Sequence, residues 1–305
     1  MSNADRGLLP DGVGTPDALA TRLQRLGYLP DTGLATACFL ALRLHRPLFL
    51  EGDAGVGKTS IAHTLAELLG APLIRLQCYE GIDAAQALYD WDFPRQLLHL
   101  RAAEAGGVTD PEQLEAQLFD RRFLLARPLL QAIETSPSVL LIDEVDRADD
   151  EFEAFLLEVL SDFSVSIPEV GTLRAATPPV VVVTSNRTRE VHDALKRRCY
   201  YHWVDHPDFA REVAIVRARV PGASQRLVEQ VTTTVQALRA GALHKPPGVA
   251  ETLDWTEALV ALGASELEPD TATATLGSLL KYREDQERAR DHVTTLVRQA
   301  AAGGA

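Results

Sequence analysis

The stretch that most narrows the possible folds is Gly52–Ser60, GDAGVGKTS, because of what flanks it. An apolar run, Pro47–Glu51, leads in, and KTSIAHTLAELLGAP leads out with Ile61, Leu65, Leu68 and Leu69 at helical spacing. Gly70 and Pro72 then stop the helix. A strand that enters a glycine-rich turn opening a helix is the proper context for the pattern GxxxxGK[ST]. The residue types follow from anion chemistry. Glycines let backbone N–H groups curl around a phosphate at a helix N-terminus. Lys58 adds a point charge for the β- and γ-phosphates, and the Thr59 hydroxyl suits Mg²⁺. The competing reading is a plain strand–helix turn with an exposed lysine, and the agreement of both flanks disfavours it.

Short apolar runs alternating with helical patterns extend this to a fold. The strand candidates are Pro47–Glu51, Leu73–Gln77, Val139–Asp143, Val180–Ser185 and Tyr200–Val204. Four are almost continuously apolar, as strands covered on both faces are. Strands separated by helices predict an α/β fold with a parallel five-stranded sheet flanked by helices. Leu19, Leu23 and Leu26, then Leu34, Cys38 and Leu42, line helix faces ahead of the first strand. Beyond Pro207 only helical patterns remain, for example Leu227, Val231, Val235 and Leu238. The expected organisation is a disordered start over 1–15, an α/β core over 16–206, and a smaller C-terminal helical lid over 207–300.

Val139–Glu144, VLLIDE, is an apolar strand ending in two carboxylates. Asp143 is placed to hold Mg²⁺ through water and Glu144 to polarise an attacking water, although two acids also suit a helix start. The next helix puts Phe152, Phe155, Leu156, Val159 and Leu160 on its core face, with Glu151, Glu153 and Glu158 expected on the solvated side. A hairpin is expected over Val165–Ala175. PPVVVVTSN is a buried strand ending at Ser185 and Asn186, whose amide can orient a water and contact the γ-phosphate, or simply form a turn. Leu195–Cys199, LKRRC, is one helical turn of cations: a solvated face, or an arginine supplied to a neighbouring subunit. Cys199, His202, His206 and His192 invite a zinc reading, but their spacing fits no standard pattern, and packing or surface roles are favoured.

The chain has 305 residues, 30 basic against 43 acidic, for a net charge of −13. That balance opposes a nucleic-acid or membrane-surface role. Three widely spaced cysteines point to a reducing, cytoplasmic compartment. The start MSNADRGLLPDGVG has no basic head before an apolar stretch, and no apolar run nears the roughly 20 residues a membrane span needs, so no membrane insertion is expected.

In order, the parts are GDAGVGKTS, LLIDEVDRA, a hairpin, VVVTSN, LKRRC and a helical lid. Together they resemble the AAA+ ATPases, and within them the MoxR family. The lead-in YLPDTGLATACFLALRLHRPLFLEG and the segment DEFEAFLLEVLSDFSVSIPEVGTLRAATPPVVVVTSN are similar to the branch containing CoxD, which is linked to maturation of molybdenum–copper carbon monoxide dehydrogenase. The resemblance covers about Tyr28 to Trp255. It implies a P-loop AAA+ core and an ATPase using ATP and Mg²⁺ in a homo-oligomeric, hexameric ring. It also implies a partner with a von Willebrand factor A domain and a client metalloenzyme. Gly52, Asp53, Ala54, Gly55, Val56, Gly57, Lys58, Thr59 and Ser60 then match the phosphate loop, with Thr59 and Asp143 at the metal. Glu144 matches the catalytic acid, Asn186 the first sensor and Arg198 the trans-acting arginine, with Arg197 the near alternative. Tyr89–Arg127 lies where this clade inserts a hairpin into its second helix, and here it is expected to carry a polar helical piece around Asp110–Phe119. The lid departs from the family: KPPGVAETLDW stands where an arginine is usual, with Glu251 and Thr252 near its place, so either Lys245 substitutes or the lid senses nucleotide differently. Alternatives are a P-loop phosphotransferase, or an AAA+ motor acting on nucleic acid.

Overall fold

The computed structural model describes residues 8–106 and 117–302. Five strands form the central sheet: β1 (Leu48–Glu51), β2 (Leu73–Gln77), β5 (Val139–Asp143), β8 (Val180–Ser185) and β9 (Tyr200–Trp203), in the order β2-β5-β8-β1-β9. The β2–β5, β5–β8 and β8–β1 ladders are parallel. Burial follows position. Every residue of β1, β5 and β8 is buried, while β2 and β9 at the edges are mostly half-exposed. The Val and Ile runs suit this setting, since branched side chains pack well on a pleated surface covered on both sides. Because the ladders run in parallel, Glu51, Gln77, Asp143 and Ser185 all end on one edge.

The chain divides into two compact units. The first, 1–19, 33–51 and 62–202, holds the sheet apart from the last residue of β9. Its core packs Phe49, Leu140, Ile142, Val181 and Val183 with Leu129, Ile133, Phe152 and Leu156 from α6 (Pro128–Glu134) and α7 (Asp150–Asp162). Here β6 (Ser164–Ile167) and β7 (Gly171–Arg174) form the expected hairpin. Glu153, expected on the solvated face of α7, is instead buried, and it accepts from Arg189 and from the His192 N–H at 2.7 Å. The insert closes on β3 (Tyr89–Trp91) paired antiparallel with β4 (Leu124–Ala126), with α5 (Phe93–Ala105) between them. Most of the polar helical piece expected around Asp110–Phe119 lies outside the described residues, as do residues 1–7 of the expected disordered start. Residues 8–15 of that start are ordered rather than disordered: Leu8 N–H donates to Leu42 O at 3.0 Å and Val13 is buried.

The second unit, 20–32, 52–61 and 203–305, brings the glycine loop together with the helical part. Its helices include α9 (Phe209–Arg219), α10 (Gln225–Arg239), α11 (Val249–Ala261) and α14 (Arg283–Ala302). Leu227, Val231, Val235, Trp255, Leu259, Val293 and Val297 share one core. A buried polar knot joins the helices: Glu212 accepts from both terminal nitrogens of Arg239 at 2.9 and 3.0 Å and from Thr252 Oγ at 2.8 Å. A fully buried carboxylate needs these partners, because a bare one costs several kcal/mol.

Candidate functional site

The glycine loop is stereochemically committed. A Cβ on Gly52 would land on the carbonyl oxygen of Val204, and Gly57, just before α3 (Lys58–Leu69), has φ 97°, which side chains rarely adopt. The backbone can therefore curl at the helix start only with glycine at these places. Lys58 is buried, and its ammonium donates to the carbonyls of Gly52 and Asp53 at 2.7 Å each, folded onto the loop it would serve. The Tyr28 hydroxyl donates to Gly57 O at 3.4 Å. From the helical part, the Ala250 N–H donates to Gly55 O at 3.0 Å. Glu251 caps its own helix, accepting the Gly248 N–H at 2.9 Å, and its carboxylate is in reach of Gly55. Lys245, the suggested substitute for a lid arginine, is exposed, with its backbone N–H on Asp285 at 3.0 Å. From the stretch KPPGVAETLDW, Ala250 and Glu251 reach the loop.

The acidic strand end is equally specific. Asp143 accepts the Thr184 hydroxyl on Oδ1 at 2.6 Å and Arg75 on Oδ2, from Nη2 at 2.5 Å and Nε at 3.1 Å. Glu144 follows in a left-handed conformation, φ 56°, its N–H fixed by Thr184 Oγ at 3.0 Å. It stands at the N-cap of the short turn Val145–Arg147 but makes no side-chain capping bond there. Instead Oε1 accepts from the Asn186 amide at 3.0 Å, and Oε2 from Gln77 at 3.1 Å and Arg147 at 2.8 Å. The unfavourable φ is thus held in place by a hydrogen bond to the neighbouring strand. Burial alone would raise Asp146, but hydrogen bonds from Thr188 and the Asn186 N–H outweigh it and hold this carboxyl below its ordinary value. Cys78, on the same edge, is pushed up to about 12 by burial and the surrounding carboxylates, so its thiol stays neutral.

The structure thus brings Asp143, Glu144 and Asn186 together, and Lys58 into its loop. Arg198 does not join the acidic cluster. At the end of α8 (Asp193–Arg198) its Nη1 donates to Leu157 O at 2.9 Å, while Arg197 is 80% exposed. Three of the suggested zinc residues have other partners: Cys199 donates to Leu195 O at 3.1 Å, His192 accepts the Ala194 N–H at 3.3 Å, and His206 faces Asp53 at 3.4 Å. Sequence reasoning missed Arg75, Gln77, Arg147 and Thr184. Gln77 carried a readable signal, a polar residue closing a strand on the same edge as Asp143.

The donor set fits the group the loop implies. Within the loop, Thr59 offers a hard hydroxyl oxygen of the kind Mg²⁺ prefers, and Gly57, at φ 97°, lets the backbone turn its N–H groups toward an anion at the start of α3.

Known proteins share parts of this chain. Over 59 residues it is 41% identical to midasin of Giardia intestinalis, a match covering 19% of this chain and 1% of midasin's length. Over 203 residues it is 24% identical to an uncharacterized protein of Staphylococcus aureus (strain bovine RF122 / ET3-1), covering 64% of this chain and 69% of that one. Among solved structures, the RuvB Holliday junction branch migration motor of Thermotoga maritima covers 88% of this chain and 72% of its own, at TM-score 0.46 and 16% identity. A point mutant of the same motor matches at TM-score 0.47 and 16% identity, over the same shares of the two chains. Residues 47–199, which contain the glycine loop, the acidic strand end, Asn186 and the arginine turn, match the AAA domain of the dynein-related subfamily, and the chain belongs to that family.

Proposed function

We propose that this protein hydrolyses ATP as a MoxR-type AAA+ chaperone and remodels a client in a homo-oligomeric, hexameric ring. In this reading Gly52–Ser60 hold the phosphates and Thr59 and Asp143 hold Mg²⁺, which when bound neutralises phosphate charge. Glu144 takes up proton density from the attacking water, Asn186 orients that water, and Arg198 or Arg197 serves a neighbouring subunit's nucleotide. The observation that carries the reading is the hydrogen bond from Asn186 to Glu144. An acid aimed by an amide at the strand edge is suited to accept a proton from an attacking water.

The finer assignment rests on the resemblance to the CoxD branch: metal-centre maturation of a molybdenum–copper enzyme such as carbon monoxide dehydrogenase, in the cytoplasm, with a von Willebrand factor A domain partner. The insert at Tyr89–Arg127 is the proposed client face. The decisive experiment is Glu144→Gln, which keeps the shape and loses the base. It should bind ATP and turn it over at least about 100-fold more slowly. Wild-type turnover would reduce Glu144 to a structural residue. Lys58→Ala, tested alongside, should lose ATP affinity in calorimetric titration.

A further inference from the structure

The buried carboxylate Glu51 takes no part in the chemistry proposed so far. It closes β1, one residue before the phosphate loop, and is 3% exposed. Lys196 of α8 reaches both of its oxygens, at 3.0 and 3.3 Å, and the Tyr201 hydroxyl donates to Oε2 at 2.9 Å. The ammonium also lies 5.6 and 5.8 Å from the ring centroids of Phe49 and Tyr201, which stack on each other. Burial, followed by the hydrogen bond to Glu51, pushes the Tyr201 phenol up to about 12, so it remains a donor. One of the three cations in the LKRR turn, half-buried Lys196, is therefore committed to a buried carboxylate.

The other two sit on the same turn but under different constraints. Arg46 donates to the carbonyls of Arg197 and Arg198 at 2.9 and 3.2 Å, and Leu195 is buried in the core. A six-residue helix has little stability of its own, so these anchors set where it lies. The backbone of the turn is fixed at three points. The Arg197 guanidinium meanwhile extends into solvent, paired at 3.3 Å with Asp193, itself 78% exposed. A rigid backbone carrying an exposed guanidinium is the arrangement expected of a group offered to another molecule.

We infer that Lys196 is a positioning residue. Through Glu51 it ties the arginine turn to the strand that enters the phosphate loop, so that the arginine offered to a neighbour is held in register with that strand. This rests on the reading that an arginine of this turn serves an adjacent subunit. A misplacement of about 1 Å can cost on the order of 100-fold in rate, which sets the scale of the effect.

The test uses the full chain. Lys196→Met keeps an unbranched side chain of similar length and removes the charge. ATP affinity should remain near wild type while turnover falls about 10- to 100-fold. Lys196→Arg, which can still donate to both oxygens, should recover most of the loss. Because Lys196→Met strands a buried carboxylate, the double variant Glu51→Gln/Lys196→Met is measured in parallel. It should melt near wild type and still be slow. Added to Arg197→Ala/Arg198→Ala, Lys196→Met should cause no further loss, because it acts through those arginines. Wild-type turnover in the folded double variant, or a loss that multiplies on the arginine-free background, would overturn the inference. If Arg197→Ala/Arg198→Ala itself turns over normally, the arginine reading fails and takes this inference with it. That result needs no change at Lys196 and is read separately.

Discussion

Two regions of the first unit handle polarity in opposite ways. At the carboxyl edge of the sheet the strands are apolar, and the polar groups they carry are buried with partners: Asp143 with Thr184 and Arg75, Asp146 with Thr188 and Asn186. In the insert, α5 is turned inside out. Gln96 is buried and donates to Leu118 O at 2.6 Å, and half-buried His99 meets Gln117 at 3.1 Å. Phe93, Leu97 and Leu98 stand outside at 64%, 50% and 68% exposure, as does Leu125 of β4 at 44%. The edge uses buried polar bonds to fix geometry, and removing one strands a partner. The insert leaves large apolar side chains where they stabilise little within the chain, as interaction faces do. Damage to the edge should therefore unfold and inactivate, whereas damage to the insert should do neither.

The sharpest test at the edge is Thr184→Val, which keeps shape and strand preference. It removes the donor to Asp143 and the acceptor for the Glu144 N–H together. Two buried groups lose a bond, so about 2–4 kcal/mol of stability should go, readable as a melting point lower by roughly 5–10 °C. Glu144, released from its left-handed conformation, should also lose most of its turnover. A variant that melts and turns over like wild type would show that the edge is not held in this way.

Asp146→Asn probes the same edge with a smaller effect, about 1–3 kcal/mol, since an amide keeps one acceptor but turns an N–H toward Thr188 or Asn186. It also carries a pH signature. The folded carboxyl titrates below its ordinary value, so its stabilisation is complete above the unfolded pKa of about 3.9 and is lost as pH falls through the lower native value. Denaturant titrations between pH 3 and 6 should show a shallower acid loss in the variant. Identical slopes would sink the assignment.

What could be read from the residues alone divides along the same line. The sheet strands and the glycine loop were legible because burial on both faces and anion binding each demand particular residue types at particular places. The partners of the acids were not. Arg75, Gln77 and Thr184 come from strands about 40 to 70 positions away from Asp143 and Glu144, and no local pattern marks them. Glu153 was misplaced for the same reason: a helical period puts it beside the core face, and only Arg189, from 36 positions on, makes its burial tolerable. In the insert, strands of three residues are too short to show an alternation, and two nearby aromatics, Trp91 and Phe93, carry no pattern that separates them. Folding separates them: Trp91 packs edge-on against Phe119 and lies half-buried against the core, while Phe93 is left outside.

The smallest stability effect belongs to that exposed row, where its smallness is the point. Leu97→Gln/Leu98→Gln exchanges two exposed apolar side chains for polar ones of similar length on a helix whose buried contacts run through Gln96 and His99. Exposed substitutions of this kind usually change stability by no more than about 0.5 kcal/mol, and Gln is nearly as good a helix former as Leu. Melting temperature and ATP turnover without client should therefore match wild type. Binding to a client should not. An apolar row that docks loses the transfer energy of each leucine, roughly 1.5–3 kcal/mol apiece for complete burial, so affinity for a partner seated on both should fall on the order of 100-fold or more. The measurement is a pair: thermal unfolding of the variant, and co-sedimentation or calorimetry with a candidate metalloenzyme from the same organism. If the variant unfolds early, α5 packs its leucines within the chain and the inside-out description is wrong. If it is stable and binds as tightly as wild type, the row is not the client face, and the contrast between edge and insert is one of packing alone.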